Sequence, residues 1–318
     1  MLEKIEQLSC VECGRAMRVD GDVYQCEHCP KKYTIDDGIV CAWPDVLGEL
    51  AREEVEYHDE FDEDALDVHQ LSTWRNQWYH RRIHDFIKNF FVSGRALEIG
   101  SGSSGTDARE VAKYHRLVCT DISPDTLKRL RSNLLEPAVE AFVAVDGEHI
   151  PFFHESFDIV YMVATFHHFE HPDQALAEFA RVLKPGGIVV MGIEPNATYF
   201  RPIKYARQFL CKAVHMDPKE GSQADALMEG FTYGRLKYLL SGAEWKDYTI
   251  RPMWLFAGWT HYFLEFLYRA FRMKKRITLP LWLEKIIVCI DELLFHIPGV
   301  KYLCWHWIII ATRSDKTV

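Results

Sequence analysis

From residue 95 onward, short unbroken apolar runs alternate with stretches whose apolar positions recur every three to four residues. The runs are ALEIG (96–100), LVCTD (117–121), FVAVD (142–146), FDIVYMVA (157–164) and GIVVMGI (187–193), each of strand length and without polar alternation, as expected where both faces are covered. Between them, TDAREVAKYH, SPDTLKRLRSNLL and HPDQALAEFARVLKPGG have helical spacing. Ser123 or Asp125 marks the second helix start, and Pro185-Gly186-Gly187 is expected to stop the third helix. Repeated βα units predict an α/β fold with a parallel sheet and a ligand at the carboxyl ends of its strands. YGRLKYLLSGAEWKDYTIRP (233–252) then predicts a helix and a sixth strand, and WHWIIIATR (305–313) a seventh. Two stretches, about 196–232 and 253–304, are left over as insertions.

Upstream of this domain, WRNQWYHRRIHDFIKNFF sets Trp74, Trp78, Ile83, Phe86, Ile87 and Phe90 at roughly helical spacing, which predicts a packing stripe. Residues 45–67 carry a dense acidic run, EEVEYHDEFDEDALD, expected to be a solvated connector or helix face. Three regions follow: 1–44, a linker with its helix over 45–94, and the main domain over 95–318.

Composition changes this picture in two places. The 318 residues are 48% hydrophobic and 13% aromatic, which suits a globular chain, and the formal net charge is −9. That charge is uneven: residues 1–199 hold 19 Lys/Arg against 35 Asp/Glu, whereas 200–318 hold 18 against 11. The acidic body disfavours non-specific polyanion binding, while the C-terminal third can approach an anionic surface. MLEKIEQLSC lacks the basic start and apolar run of a signal peptide, and no uncharged apolar run is long enough to span a bilayer. The expected location is therefore cytoplasmic, where nine cysteines stay reduced unless they hold metal.

CVECGRAMRVDGDVYQCEHC places Cys10 and Cys13 two residues apart and repeats the spacing at Cys26 and Cys29. Two such knuckles can offer four thiolates tetrahedrally to one zinc ion, and a closed four-sulfur set leaves no open position for catalysis. A structural zinc ribbon ending near Trp43-Pro44 is the expectation, in preference to disulfides or a redox pair. His28, between the ligands, is expected to face solvent.

RALEIGSGSSGTDAREVAKYHRLVCTDIS contains G-x-G-x-x-G at Gly100, Gly102 and Gly105, with Asp121 following 16 residues later. This pattern alone fits a dinucleotide pyrophosphate at a helix N-terminus. Glu98, two residues before Gly100 on the same strand, opposes a pyrophosphate and favours an ammonium or sulfonium. Asp121 suits a ribose diol, and Asp146 can accept from an adenine amino group. Acids ending three adjacent strands fit a cationic adenosyl ligand better than a dinucleotide.

With these residues in place, LEIGSGSSG, CTDIS, VDGEHIPFFHESFDIVYMVATFHHFEHPDQALAEFARVLKPGG and IEPN resemble the class I S-adenosylmethionine-dependent methyltransferases over about 95–196. The resemblance implies a Rossmann-like sheet of seven strands whose last strand is antiparallel. It implies S-adenosyl-L-methionine contacts at Glu98, Gly100, Gly102, Asp121, Ile122, Asp146, Gly147, Val163 and Ala164. The ribbon resembles those fused to, or partnering, such enzymes.

Methyl transfer from a sulfonium mainly requires alignment, which can contribute about 7–11 kcal/mol. A hydroxyl or carbon acceptor also needs a base. His167, His168 and Glu194 are the candidates, with His215, Tyr199 and Tyr233 weaker ones. The 253–304 insertion carries WTHYFLEFLYRAFRMKKR, an aromatic face beside Lys274-Lys275-Arg276, and then the amphipathic LPLWLEKIIVCIDELLF. Residues 259–276 can lie peripherally on the inner membrane surface, although periodicity favours packing on the core or in a dimer. The leading expectation is O- or C-methylation of a small or lipid-linked acceptor, such as a glycolipid, a polyprenyl-linked sugar or a quinone-like ring. An RNA-base methyltransferase that grips RNA through the ribbon is the second, opposed by the ribbon's acidity and by ATFHHF where an N/D-P-P-Y-type motif would stand. A non-catalytic partner-binding scaffold is the third.

Overall fold

The computed structural model describes residues 5, 7–60, 73–90, 93–199, 201–202 and 230–315. Seven strands form the main sheet: β5 (Arg95–Ile99), β6 (Arg116–Asp121), β7 (Val139–Ala144), β8 (Phe157–Val163), β9 (Leu183–Pro195), β10 (Trp245–Met253) and β11 (His306–Arg313). Their order is β7-β6-β5-β8-β9-β11-β10. The first five are parallel, and β11 runs antiparallel to both β9 and β10, as expected for the seventh strand. Apolar side chains on both faces explain why these runs lack alternation: Leu97, Val118 and Val160 lie in one core, while Ala96, Leu117 and Ile159 lie in the other.

Helices α3 (Thr106–Val111), α4 (Pro124–Asn133), α5 (Pro172–Val182) and α6 (Tyr233–Leu239) connect the strands. Ser123 caps α4 by accepting from the Thr126 N–H at 2.9 Å. Contrary to expectation, Pro185-Gly186-Gly187 does not end α5. The helix stops at Val182 and β9 starts at Leu183, so the Pro-Gly-Gly lies within the strand, where the pairing with β8 shifts between Phe157 and Ile159. Gly186 takes φ 73° there, a conformation that fits an irregularity rather than a helix stop.

The N-terminal strands β1 (Met17–Asp20), β2 (Val23–Cys26), β3 (Lys32–Asp36) and β4 (Ile39–Cys41) form an antiparallel meander. The sequence suggests a tethered module, but β4 pairs in parallel with β7, so the meander extends the main sheet to 11 strands. The segment before it is also docked: the Ser9 N–H donates to Pro151 O at 2.9 Å, and the Arg95 guanidinium donates to Gln7 Oε1 at 2.6 Å.

The acidic stretch is likewise not a plain connector. Its described part forms helix α1 (Glu49–Glu60), which packs on α4 with Glu54 buried. Helix α2 (Trp74–Phe90) buries Arg75, Asn76, Tyr79, His80, Ile83 and Ile87. The expected packing stripe holds at Trp74, Trp78, Ile83 and Ile87, which lie in or against the core, but not at Phe90, which is exposed. The residues after β10 form α7 (Phe256–Ala270) and α8 (Leu281–Leu294), two helices packed on each other, with α8 also against α2.

Candidate active site

One large cleft opens at the carboxyl ends of β5, β6, β7 and β8, with a volume of about 780 Å³, within the range of small-molecule and cofactor sites. The structure brings Glu98, Gly100, Gly102, Asp121, Ile122, Asp146, Gly147, Val163 and Ala164 to its wall together. Gly100 is required twice over: its φ is 68°, and a Cβ there would sit 2.5 Å from Thr165. Three non-glycine residues with left-handed φ also end strands along the cleft, namely Ala164 (54°), Ile193 (59°) and Trp254 (60°). Such conformations are costly, above all for β-branched Ile193, and cluster where backbone must be aimed at a ligand.

Glu98 is 4% exposed, and its Oε2 accepts no hydrogen bond among the described residues. Burial pushes its carboxyl up to about 8, and the charge of Asp107 adds to the shift. Beside it, Asp107 Oδ1 bonds to His80 Nδ1 at 3.1 Å and to His84 Nε2 at 2.6 Å. Burial alone would raise the Asp107 pKa, but the two imidazoles outweigh it and hold the carboxyl well below the usual range. Burial works against His80's charged form too, and the adjoining Asp107 carboxylate prevails and raises its pKa. This end of the cleft thus pairs a buried carboxyl that has one unpartnered oxygen with the His80-Asp107-His84 triad, a setting for a zwitterion.

At the next strand ends, Asp121 accepts the Gly102 and Ser123 N–H groups at 3.0 Å each, which ties the glycine loop to β6. Asp146 accepts the Glu148 N–H at 2.9 Å and bonds His149 Nδ1 at 2.8 Å. Backbone donors keep both carboxylates aimed along the cleft, in the order that a methionyl, ribosyl and adenine group would meet them. The residues present therefore fit S-adenosylmethionine: the orphaned Glu98 oxygen can take the ammonium, Asp121 the diol and Asp146 the adenine edge.

The three base candidates separate clearly. Glu194 is fully buried and lies behind the cleft, where it accepts the N–H groups of Thr165, Phe166 and His167 at 3.2, 3.0 and 3.1 Å and bonds His167 Nδ1 at 3.0 Å. These contacts hold the 3-10 turn Phe166–His168 and occupy the carboxylate. His167 also lines the cleft but is tied to Glu194, with a 6% exposed side chain. His168 lines the cleft with a 22% exposed side chain and bonds Glu54 Oε2 through Nδ1 at 3.2 Å. Of the weaker candidates, Tyr199 donates to Leu303 O at 2.8 Å and stacks on Trp305, and Tyr233 packs on Tyr302 and Trp307. Neither lines the cleft, and His215 lies outside the described residues. Replacing Glu194 with alanine is expected to cost about 3 kcal/mol by stranding buried donors, and to lower the melting temperature by several degrees. His168→Ala should melt within about a degree or two of the parent, and thermal denaturation of the two variants decides the point.

Sequence reasoning missed the lid. Glu54 and His58 of α1, 3.3 Å apart, line the cleft with Leu50 and Ala51. Their i, i+3/i+4 spacing inside the acidic run was the available signal. Asn76 and His80 of α2, and Trp254, His261, Tyr262 and Phe266 around α7, form the remaining walls.

At the N-terminus, Cys10, Cys13, Cys26 and Cys29 place their sulfurs within 4.8 Å of one another. The Cys10–Cys29, Cys13–Cys26 and Cys13–Cys29 distances are 3.6, 3.5 and 3.6 Å. A tetrahedron with bonds of about 2.3 Å has edges of about 3.8 Å, so the set can hold zinc, whereas a disulfide needs about 2.05 Å. His28 is exposed.

Residues 97–191 match the family described as a methyltransferase domain. Over 187 residues the chain is 28% identical to the ubiquinone/menaquinone biosynthesis C-methyltransferase UbiE of Laribacter hongkongensis, covering 49% of this chain and 76% of that protein. Over 98 residues it is 38% identical to the phthiotriol/phenolphthiotriol dimycocerosates methyltransferase of Mycobacterium leprae, covering 29% and 35%. The chain thus spans a third to three quarters of the length of these two relatives. The fold is shared with phosphoethanolamine N-methyltransferase 2 of Haemonchus contortus, solved with S-adenosyl-L-methionine, at a TM-score of 0.54 and 16% identity over 86% of this chain and 61% of that one. A sheet of this order, a glycine loop framed by strand-end acids and these matches converge on one assignment: residues 97–191 are a methyltransferase domain, in a chain similar to the class I S-adenosylmethionine-dependent methyltransferases.

Proposed function

We propose that this protein transfers a methyl group from S-adenosylmethionine to an oxygen or carbon of a small or lipid-linked acceptor. The observation that carries the reading is the buried, orphaned Glu98 oxygen at one end of a cleft whose next two strands end in Asp121 and Asp146. The bound cofactor supplies an electrophilic methyl on a sulfonium. Glu98, Asp121 and Asp146 hold it by its ammonium, diol and adenine edge. Asn76 and the His80-Asp107-His84 triad close the methionyl end, and α1 and α7 shield the cleft from water. His168 is the base this arrangement favours, because it is the more exposed of the two histidines lining the cleft and Glu54 orients it. His167 and Glu194 are positioning residues that fix the turn carrying it. Four cysteines hold a structural zinc beside the sheet edge.

Two of the relatives are named for ubiquinone/menaquinone biosynthesis and for phthiotriol/phenolphthiotriol dimycocerosates, and an apolar acceptor of that kind fits the aromatic wall from α7. RNA is the poorer reading, since the ribbon and α1 expose mainly acids, and a scaffold without activity would not need an orphaned buried carboxyl. Calorimetric titration of the folded, zinc-loaded protein should give a saturable one-to-one S-adenosylmethionine isotherm. A flat titration would end the proposal.

A further inference from the structure

The helices α7 and α8 are polarised the wrong way round for a water-facing pair. On α8 two of the three acids lie inside: Glu284, 3% exposed, binds the buried Arg75 at 2.7 Å, and Asp291, fully buried, accepts the N–H groups of Leu255, Phe256 and Ala257 at 2.7–3.0 Å and so caps α7, while the partly exposed Glu292 pairs with Arg82. The outward positions of α8 are instead mostly apolar, with Trp282, Ile286, Ile290 and Leu293 exposed by 64, 46, 41 and 64% and Lys285 the one exposed charge. On α7 the outward positions are Phe256, Trp259, Phe263 and Phe266, without a charge among them. Scattered exposed apolar residues are ordinary, but two neighbouring helices with apolar outer faces mark an interaction surface.

Its surroundings identify the partner. Immediately after α7, the exposed run Phe271–Lys275 carries Arg272, Lys274 and Lys275, while the flanking Arg269 and Arg276 pair with Glu265 at 2.7 and 3.1 Å. Aromatic side chains beside a cationic rim match the apolar interior and anionic headgroups of a bilayer surface. A second copy related by a two-fold axis would bring this rim towards itself at a repulsive cost. Among the described residues no helix is long and apolar enough to cross a membrane, so the pair would lie on it. Phe266 is both 40% exposed and part of the cleft wall, so the apolar face is continuous with the cleft mouth.

We propose that the outer face of α7 and α8, with the basic run after α7, docks this enzyme on an anionic lipid surface and presents the cleft to an acceptor embedded there. The part concerning the acceptor rests on the methyltransferase reading, whereas the docking itself does not. The test is co-sedimentation of the full-length, zinc-loaded protein with phosphatidylcholine vesicles, with and without about 30% phosphatidylglycerol. Binding is expected only to the anionic vesicles, and Lys274→Glu/Lys275→Glu or Phe263→Glu/Ile286→Glu should weaken it about tenfold or more. All three proteins should keep the same S-adenosylmethionine affinity by calorimetry, which also certifies their fold. Absence of binding to anionic vesicles overturns the inference. Equal binding to both vesicle types also overturns it, as does a dimer in sedimentation velocity that the Phe263→Glu/Ile286→Glu variant dissociates without any lipid binding by the parent. If the cofactor titration fails while vesicle binding persists, the methyltransferase reading falls and the docking surface stands.

Discussion

Glu98→Gln should leave the fold intact and remove most of the affinity for S-adenosylmethionine. Near neutrality the free protein holds Glu98 protonated, because burial sets its pKa at about 8, and glutamine is close in shape to that neutral acid. The melting temperature should therefore move by no more than about two degrees. Cofactor binding differs, because an ammonium placed against Glu98 requires the carboxylate. Truncating one partner of a buried charged pair costs about 2–5 kcal/mol, so a loss of at least about 30-fold is expected.

The sign of the pH dependence follows from the same group. Below pH 8 the free protein carries a proton on Glu98, and the bound ammonium holds the carboxylate ionised. Binding thus releases a proton, and affinity rises with pH by up to about tenfold per unit until Glu98 ionises unaided. Above about pH 8 the ligand's own α-ammonium begins to titrate, and affinity falls again. Calorimetry in buffers of different ionisation enthalpy should detect the released proton in the parent and none in Glu98→Gln, whose profile should lack the rising limb. An unchanged affinity in the variant, or no rising limb in the parent, would remove Glu98 from the cofactor site.

Cys13→Ser, or removal of the metal with a strong chelator, is expected to have the largest effect on stability. The four short strands of the β1–β4 meander bury six apolar side chains, Met17, Tyr24, Cys26, Tyr33, Ile39 and Val40, and structural zinc supplies roughly 10–16 kcal/mol of binding free energy in small zinc modules. The damage should not stay local. The Ala42 N–H donates to Ala144 O at 2.9 Å, and β4 pairs with β7 through Val40 and Cys41. Leu8 bridges to Phe152 and Ser9 donates to Pro151, so the ribbon flanks the segment bearing Asp146 and Gly147. Loss of zinc should lower the melting temperature by more than ten degrees or split the transition in two, and weaken cofactor binding about tenfold or more through the adenine side. Metal analysis should find one zinc per chain in the parent. A Cys13→Ser protein that melts and binds as the parent does would show the four sulfurs to be dispensable.

The parts of this protein legible in its sequence are those whose signal is local. An unbroken apolar run has to be covered on both sides, so the five parallel strands and their helices could be read off the patterning, and the antiparallel last strand followed from family resemblance. Two Cys-x-x-C knuckles carry their spacing with them. An acid or glycine at a strand's carboxyl end falls in the cleft because the sheet is parallel, which is why the residues expected around the cofactor meet there.

What the tertiary structure alone decided concerns which neighbour each face meets. Periodicity shows that a helix has an unlike face but not what covers it. The acidic run therefore read as solvated, although α1 turns Glu54 towards His168, 114 residues away. Glu194 looked like a base because it follows a strand, and only the turn folded back over it shows that its oxygens are occupied. The four-cysteine ribbon looked like a separate module because nothing in its own 40 residues encodes the β4–β7 pairing. In α8 the ordinary rule runs in reverse, with Glu284 and Asp291 inside and Trp282, Ile286 and Ile290 outside. No sequence pattern reveals such an inversion, since burial of a charge depends on a partner such as Arg75, 209 residues away.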